Sequence, residues 1–333
     1  MSSTDSENKP AAVAPKFSVI IPTYNRRTYI GDALLSVLKQ SLQPSEIIVV
    51  DDGSTDDTID IVRTFGETIK YVYQPNAGVS AARNHGIAIA CFEWIAFLDS
   101  DDTWEAEYLE HQARSIAQNP TAKAHFTNAR IYREDGGVDE FFDLFNLTTI
   151  FQTNEPVFLE RPLRYVIENH LYNFQLAVLH RQLFEICGTF RTDLRLGEDI
   201  ECMSRIAQLT PFAVNPVKLA CIIHRSGDKN NLSRAVTIDG IRTTNLYHAI
   251  FARIAALPNL NKAEKRSIAC LHSSNRRQLG NLLLRQNKTY EARQAFKEGL
   301  LLNPSLVSLV KFIISYFPPL AKKMDRRGHN LNP

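Results

Sequence analysis

Leu98-Asp99-Ser100-Asp101-Asp102 closes a short apolar run and sets two carboxylates one residue apart. On an extended segment, residues i and i+2 project to the same side. Asp99 and Asp101 can therefore offer oxygen ligands to one hard divalent cation. Such a cation can bridge a diphosphate and neutralise the charge that grows on it as it leaves. The bland alternative is an acidic loop capping the next helix. A second acidic pair, Asp51-Asp52, follows another apolar run and precedes Gly53-Ser54. A carboxylate there can accept from a base N–H or a ribose hydroxyl, and Tyr24 offers a ring on which a base can stack. Against this, the pair can be a plain strand-to-helix turn with Ser54 as N-cap, and Tyr24 a core aromatic.

These residues need a scaffold, and the first hundred positions alternate strand and helix signals. Apolar, β-branched runs at 17–22, 46–50, 69–73 and 94–98 predict buried strands. Between them, 29–40 carries Ile30, Leu34, Val37 and Leu38 on one helical face, and 79–90 is alanine-rich. Ser54-Thr-Asp-Asp57 reads as a capping box opening a helix with Ile59, Val62 and Phe65 inward. Regular alternation predicts an α/β fold with a parallel sheet covered on both faces. Ligands of such sheets bind at the carboxyl ends of the strands. Thr23-Tyr-Asn25, Asp51-Asp52 and Asp99 to Asp102 all fall there.

Residues 105–235 show no clean period and read as mixed strands and helices completing the site. From about 240 the chain turns helical. Residues 268–286 and 290–302 read as a hairpin resembling one tetratricopeptide-like unit, which cannot bury its own face and must pack on something.

Composition narrows the class. The chain has 333 residues, 44% hydrophobic and 22% charged, with a net charge of +2. Those values fit a globular protein with a real core and give no reason to expect a nucleic-acid partner. Five cysteines without C-x-x-C spacing argue against a disulfide framework or a zinc site and for a reducing compartment. Residues 1–15 read as a disordered polar tail with no secretory signal, and no apolar run is long enough to cross a membrane. The apolar stretch 306–317, followed by Pro318-Pro319 and then Lys322, Lys323, Arg326 and Arg327, leaves two readings. Either it packs under the hairpin, or it takes a cytoplasmic protein to anionic lipid at the inner membrane face.

Four segments carry a resemblance: Phe17-Ser-Val-Ile-Ile-Pro-Thr-Tyr-Asn-Arg26, Ile47-Ile-Val-Val-Asp-Asp-Gly-Ser-Thr-Asp56, Asn76-Ala-Gly-Val-Ser-Ala-Ala-Arg-Asn84 and Ile95-Ala-Phe-Leu-Asp-Ser-Asp-Asp-Thr-Trp104. In order and spacing they resemble the successive motifs of family 2 glycosyltransferases of the bacterial cell-surface polysaccharide type. The resemblance implies a GT-A fold, Rossmann-like, over 16–235, with a helical extension over 240–333. It also implies inverting transfer of a sugar from a nucleotide-diphosphate donor, a UDP-sugar by preference, to a saccharide or lipid-linked acceptor, assisted by Mg²⁺ or Mn²⁺. By resemblance, Pro22, Thr23, Tyr24 and Asn25 form the first nucleotide-binding loop. Asp51 and Asp52 match the uracil- and ribose-contacting acids. Asp99 and Ser100 lie with the donor, and Asp101 is the more direct metal ligand. Arg83 matches a recurrent arginine that serves donor or phosphate, or else a surface salt bridge.

Family members also carry a Glu-Asp pair about a hundred residues after the D-x-D, and Leu196-Gly-Glu-Asp-Ile200 fits. Inverting transfer needs a base for the acceptor hydroxyl, so Asp199 is the expected base with Glu198 beside it. The competing reading is a cap on a helix over 200–207. His224 matches a histidine near the end of many catalytic domains and is a candidate metal or pyrophosphate contact, with a structural role as its alternative. No Q-x-x-R-W follows the Glu-Asp pair, which favours single-sugar transfer over polymerisation. Two rivals remain. Asp99-Ser-Asp-Asp-Thr103 also fits the nucleophile motif of haloacid-dehalogenase-like phosphatases, although three strand–helix units precede it here. A non-catalytic nucleotide-sugar-binding module is the other.

Overall fold

The computed structural model describes residues 14–151, 155–225 and 240–316. Nearly all of the expected N-terminal tail, and the basic stretch from Lys322 to Arg327, lie outside the described residues. The first strands and helices follow the predicted order: β1 (Phe17–Thr23), α1 (Ile30–Leu38), β2 (Glu46–Asp51), α2 (Thr58–Arg63), β3 (Ile69–Tyr73), α3 (Val79–Ile89) and β4 (Trp94–Phe97). β3, β2, β1 and β4 lie side by side and parallel. Val19, Ile20 and Ile21 of β1 and Ile48, Val49 and Val50 of β2 are buried on both faces, the expected state for strands covered by crossover helices.

Register places the polar residues. Thr23 of β1 pairs with Asp51 of β2, and Asp51 with Tyr73 of β3. The Leu98 amide, just past β4, donates to the Ile20 carbonyl at 3.1 Å. The three clusters therefore emerge at one sheet edge.

After β5 (Thr103–Trp104) and α4 (Tyr108–Gln118) comes the irregular middle: β6 (Ala124–Tyr132), β7 (Val138–Glu140), α5 (Phe141–Leu144), β8 (Val157–Leu159), α6 (Leu163–Glu168), β9 (Ala177–His180), α7 (Gln182–Cys187), α8 (Glu198–Ile206) and β10 (Phe212–Ile223). β9 pairs antiparallel with both β4 and β6, so one mixed sheet runs β3-β2-β1-β4-β9-β6-β10-β5. β10 breaks its register with β6 between Val214 and Ala220, bending the strand.

The helical part begins with α9 (Gly240–Ala255). Its Ile250, Phe251 and Ile254 join the buried cluster that includes the sheet. α10 (Lys262–Arg285) starts with a capping box between Asn261 and Glu264. The same Glu264 is buried and pairs with Arg161 at 2.7 Å, tying α10 to the middle region. α10 and α11 (Thr289–Leu302) form the hairpin, and Gly280 lets Phe296 press so close that a Cβ would stand 2.5 Å from its ring. In α12 (Leu306–Ile314) Ser308 is buried and most apolar side chains are outside, with Leu306 76% exposed.

One local expectation is corrected. Ser54 does not cap a helix, because α2 begins four residues later at Thr58 and its N-cap residue is Asp57. Ser54 is held instead by the loop: its amide donates to Asp51 Oδ1 at 2.7 Å, and its hydroxyl accepts from the Asn25 amide at 2.8 Å. A serine three residues after an acid can close a turn as readily as it opens a helix.

Candidate active site

The loop after β1 locks onto the loop after β2. Asn25 adopts a left-handed φ of 52°, which asparagine tolerates better than most residues. Its side-chain oxygen accepts from the Thr55 amide at 2.7 Å. Tyr24 stays exposed at this edge, whereas Pro22 and Thr23 are buried within β1.

Both acids of the pair are buried and held by protein donors. Asp51 accepts from Ser54 and, at 2.6 Å, from the Tyr71 hydroxyl. Asp52 accepts from Gln74 Nε2 and from the Ala77 and Gly78 amides at 2.7, 2.9 and 2.7 Å. Asp52 thus organises the loop that launches α3. Gly53 has φ +85°, and a Cβ there would stand 2.7 Å from the Asn76 amide nitrogen, so this turn requires glycine.

Asp99, Asp101, Asp102, Asp199, Arg83 and His224 line one cavity of about 370 Å³. Ser100, between the two D-x-D acids, is buried. Burial lifts the Asp101 carboxyl above the ordinary range and the Asp99 charge adds to it, while Arg26 and Arg225 oppose the rise. Arg26 Nη2 stands 3.5 Å from Asp101 Oδ2. Arg225 donates to the Asp101 carbonyl at 2.5 Å and lies 4.1 Å over the Tyr29 ring. Asp102 is buried and accepts from the Ile223 amide at 2.7 Å; burial and its two acidic neighbours hold it well above the usual carboxylate range. Like carboxylates crowded in this way favour protonation or a cation.

Arg83 is the joint of the site. Projecting from α3, only 8% exposed, it reaches Asp99 at 3.1 Å and Glu198 at 3.2 Å and lies 5.3 Å over Phe190. The next residue, Asn84, exchanges hydrogen bonds with the Phe190 backbone at 2.7 and 2.9 Å. The Arg-Asn dipeptide thus clips α3 to the segment that leads into α8. The surface-salt-bridge alternative for Arg83 is corrected: the guanidinium is buried between two separate acidic segments.

α8 begins at Glu198, directly after Gly197 with φ +73°. Gly197 is the N-cap residue, and Asp199 lies inside the first turn. Its Oδ1 accepts from the Ile200 amide at 2.7 Å. Burial, with the Glu198 charge second, raises the Asp199 carboxyl to about 7, while Arg83 and the Ile200 amide pull the other way. Glu198 is spent on Arg83, and Asp199 is the member of the pair that lines the cavity. His224 is exposed at the cavity rim, its amide donating to the Tyr132 carbonyl at 2.9 Å.

The donor set has the chemistry that a divalent cation needs. Asp99 and Asp101 offer carboxylate oxygens and His224 an imidazole around a shared cavity. Among the described residues, no three His, Cys, Asp or Glu side chains are gathered closely enough to hold an ion by themselves. A cation here would take its remaining ligands from substrate oxygens and water, as Mg²⁺ commonly does. The residue list built on motifs missed Arg26 as the partner of Asp101, although it ends the first motif. It also missed Phe145, His170 and Tyr172, which line the same cavity and belong to the aperiodic middle.

The chain has recognisable relatives among known proteins. Residues 18–180 match the model for glycosyl transferase family 2. The putative teichuronic acid biosynthesis glycosyltransferase TuaG of Bacillus subtilis (strain 168) is 42% identical over 126 residues, 37% of this chain and 50% of that one. The chain thus spans about half the length of that relative. The crystal structure of S. aureus TarS 1-349 in complex with UDP-GlcNAc superposes with a TM-score of 0.69 at 20% identity, over 94% of this chain and 92% of that one. The mannosyltransferase PcManGT from Pyrobaculum calidifontis, in complex with GDP-Man and Mn²⁺, gives 0.56 at 21% identity, over 96% and 90%. With a GT-A-type sheet and the D-x-D after β4, residues 18–180 are similar to glycosyl transferase family 2.

Proposed function

We propose that this protein is an inverting glycosyltransferase that moves a single sugar from a nucleoside-diphosphate donor, a UDP-sugar by preference, to a saccharide or lipid-linked acceptor. The observation that carries the reading is the shared cavity: the D-x-D acids and Asp199 line one space, and Arg83 ties their two segments together. The nucleoside would lie at the edge formed by Tyr24, Asn25 and Asp51. Asp99, Asp101 and His224 would hold Mg²⁺ or Mn²⁺, which when bound would supply positive charge to the leaving diphosphate. Asp199 would take the acceptor hydroxyl's proton as that oxygen attacks from the face opposite the diphosphate. A carboxyl raised to about 7 is matched to that task near neutrality. Loss of intact nucleotide sugar across a donor panel, with and without Mn²⁺, tests the reading. Release of free phosphate from phosphomonoesters would favour the phosphatase alternative.

The chain divides functionally, in this reading, into a catalytic unit over 16–235 and a helical brace beyond 240. The brace also supports a location. Leu306, Val307 and Ile313 of α12 are exposed, and the sequence beyond Pro318-Pro319 is basic. An apolar helix face followed by clustered cations suits an anionic bilayer surface and hence lipid-linked acceptors. Among the described residues, no helix is long and apolar enough to cross a membrane.

A further inference from the structure

The cavity lined by the acidic residues also has an aromatic side. Phe145, His170 and Tyr172 line it. The His170 ring stacks on Phe145, with centroids 4.4 Å apart and planes inclined by 22°. The Tyr172 hydroxyl and His170 Nδ1 are 2.6 Å apart. Asn169 Nδ2 donates to the Phe145 carbonyl at 2.9 Å, so the loop after α5 and the loop after α6 are fastened together beneath the rings.

His170 holds φ +57°, a conformation that costs a non-glycine residue on the order of 1–3 kcal/mol. The residue is nevertheless exposed, so burial of its own surface does not offset that cost. The arrangement instead fixes a flat ring at the cavity that contains Asp199. Partial desolvation by its neighbours favours the neutral His170 ring, and burial favours the protonated Tyr172 phenol. When Tyr172 donates to Nδ1, His170 Nε2 carries the hydrogen and becomes a donor to a ligand oxygen.

A pyranose ring fits such a platform. Its C–H face packs on aromatic carbon while its rim hydroxyls meet polar atoms, the usual mixture in small-molecule sites. Among the described residues that line the cavity, cations able to recognise an acceptor phosphate are few. Arg83, the one arginine or lysine among the described lining residues, is engaged by Asp99 and Glu198.

The geometry points to Phe145, His170 and Tyr172 as the acceptor subsite, one that takes a pyranoside in preference to an open-chain polyol phosphate. This rests on the glycosyltransferase reading proposed above. The test uses the full chain and reads binding. Saturation-transfer NMR is run with methyl pyranosides of hexoses and N-acetylhexosamines, and with glycerol phosphate, on the native protein, His170→Ala and Phe145→Ala. UDP affinity is measured by calorimetry in the same samples. Pyranosides should bind the native protein through one ring face and lose at least tenfold in affinity in both variants, with UDP affinity held within twofold. Undiminished pyranoside binding in both variants, or tighter binding of glycerol phosphate than of any pyranoside, overturns the subsite. Pyranoside binding that depends on His170 in a protein with no affinity for nucleoside diphosphates would sustain the subsite and overturn the donor reading.

Discussion

Replacing Arg83 by Gln removes a cation that binds both Asp99 and Glu198. Truncating one partner of a buried ion pair costs about 3–5 kcal/mol, because the other charge is left desolvated. Here Glu198 retains 12% side-chain exposure and Asp99 37%, so water reaches Asp99 and the lower end, about 3 kcal/mol, applies. For a chain of 333 residues that loss corresponds to a melting point lower by about 4 °C. A chemical signature should accompany it. Arg83 holds the Asp199 carboxyl down, so its removal should raise that group further above 7. A base must be deprotonated to act, so the acid limb of the kcat/KM profile should move to higher pH. Arg83→Lys, which keeps the charge and loses the two-pronged geometry, should fall between the two. Thermal melts and pH–rate profiles of the three proteins provide the assay. An Arg83→Gln protein with native melting and a native acid limb would refute the bridging role.

Three other outcomes are expected. Gly197→Ala should destabilise by about 2–4 kcal/mol, from a left-handed residue with a side chain and from overpacking. Its Cβ would stand 2.4 Å from Ile250 Cδ1 at φ +73°, and denaturant unfolding measures the loss. Asp101→Ala, or EDTA with the native protein, should cut turnover by roughly a thousandfold through lost leaving-group stabilisation; full turnover in EDTA would end the metal reading. The full-length protein should co-sediment with anionic vesicles at low salt, and removal of residues 318–333 should abolish this; indifference to those vesicles contradicts membrane contact.

The parallel half of the sheet was legible because its strands are short, mostly apolar and separated by turns that hold Gly53 and Gly78. The shared edge followed from topology alone, since each polar cluster ends a parallel strand. Asp199 was reached only through the resemblance, because nothing local distinguishes Glu-Asp at a helix start from ordinary first-turn acids. The middle region gave no period for a physical reason. Most of β6 is buried on both faces, and β10 bends through a register break, so neither alternates. His170 escaped notice because its importance lies in a backbone angle and in stacking on Phe145, 25 positions earlier in the chain. The clasp formed by Ser54 was mistaken for a cap because the two uses share one local pattern.

Asp199→Asn tests the central claim most directly. The amide preserves shape and removes the proton acceptor, so transfer should fall by roughly a hundredfold or more. Calorimetry with UDP, run beside the transfer assay, should show nucleotide affinity unchanged. A variant that transfers at the native rate contradicts the role of Asp199 as base, and one that loses UDP binding together with transfer makes it a structural residue.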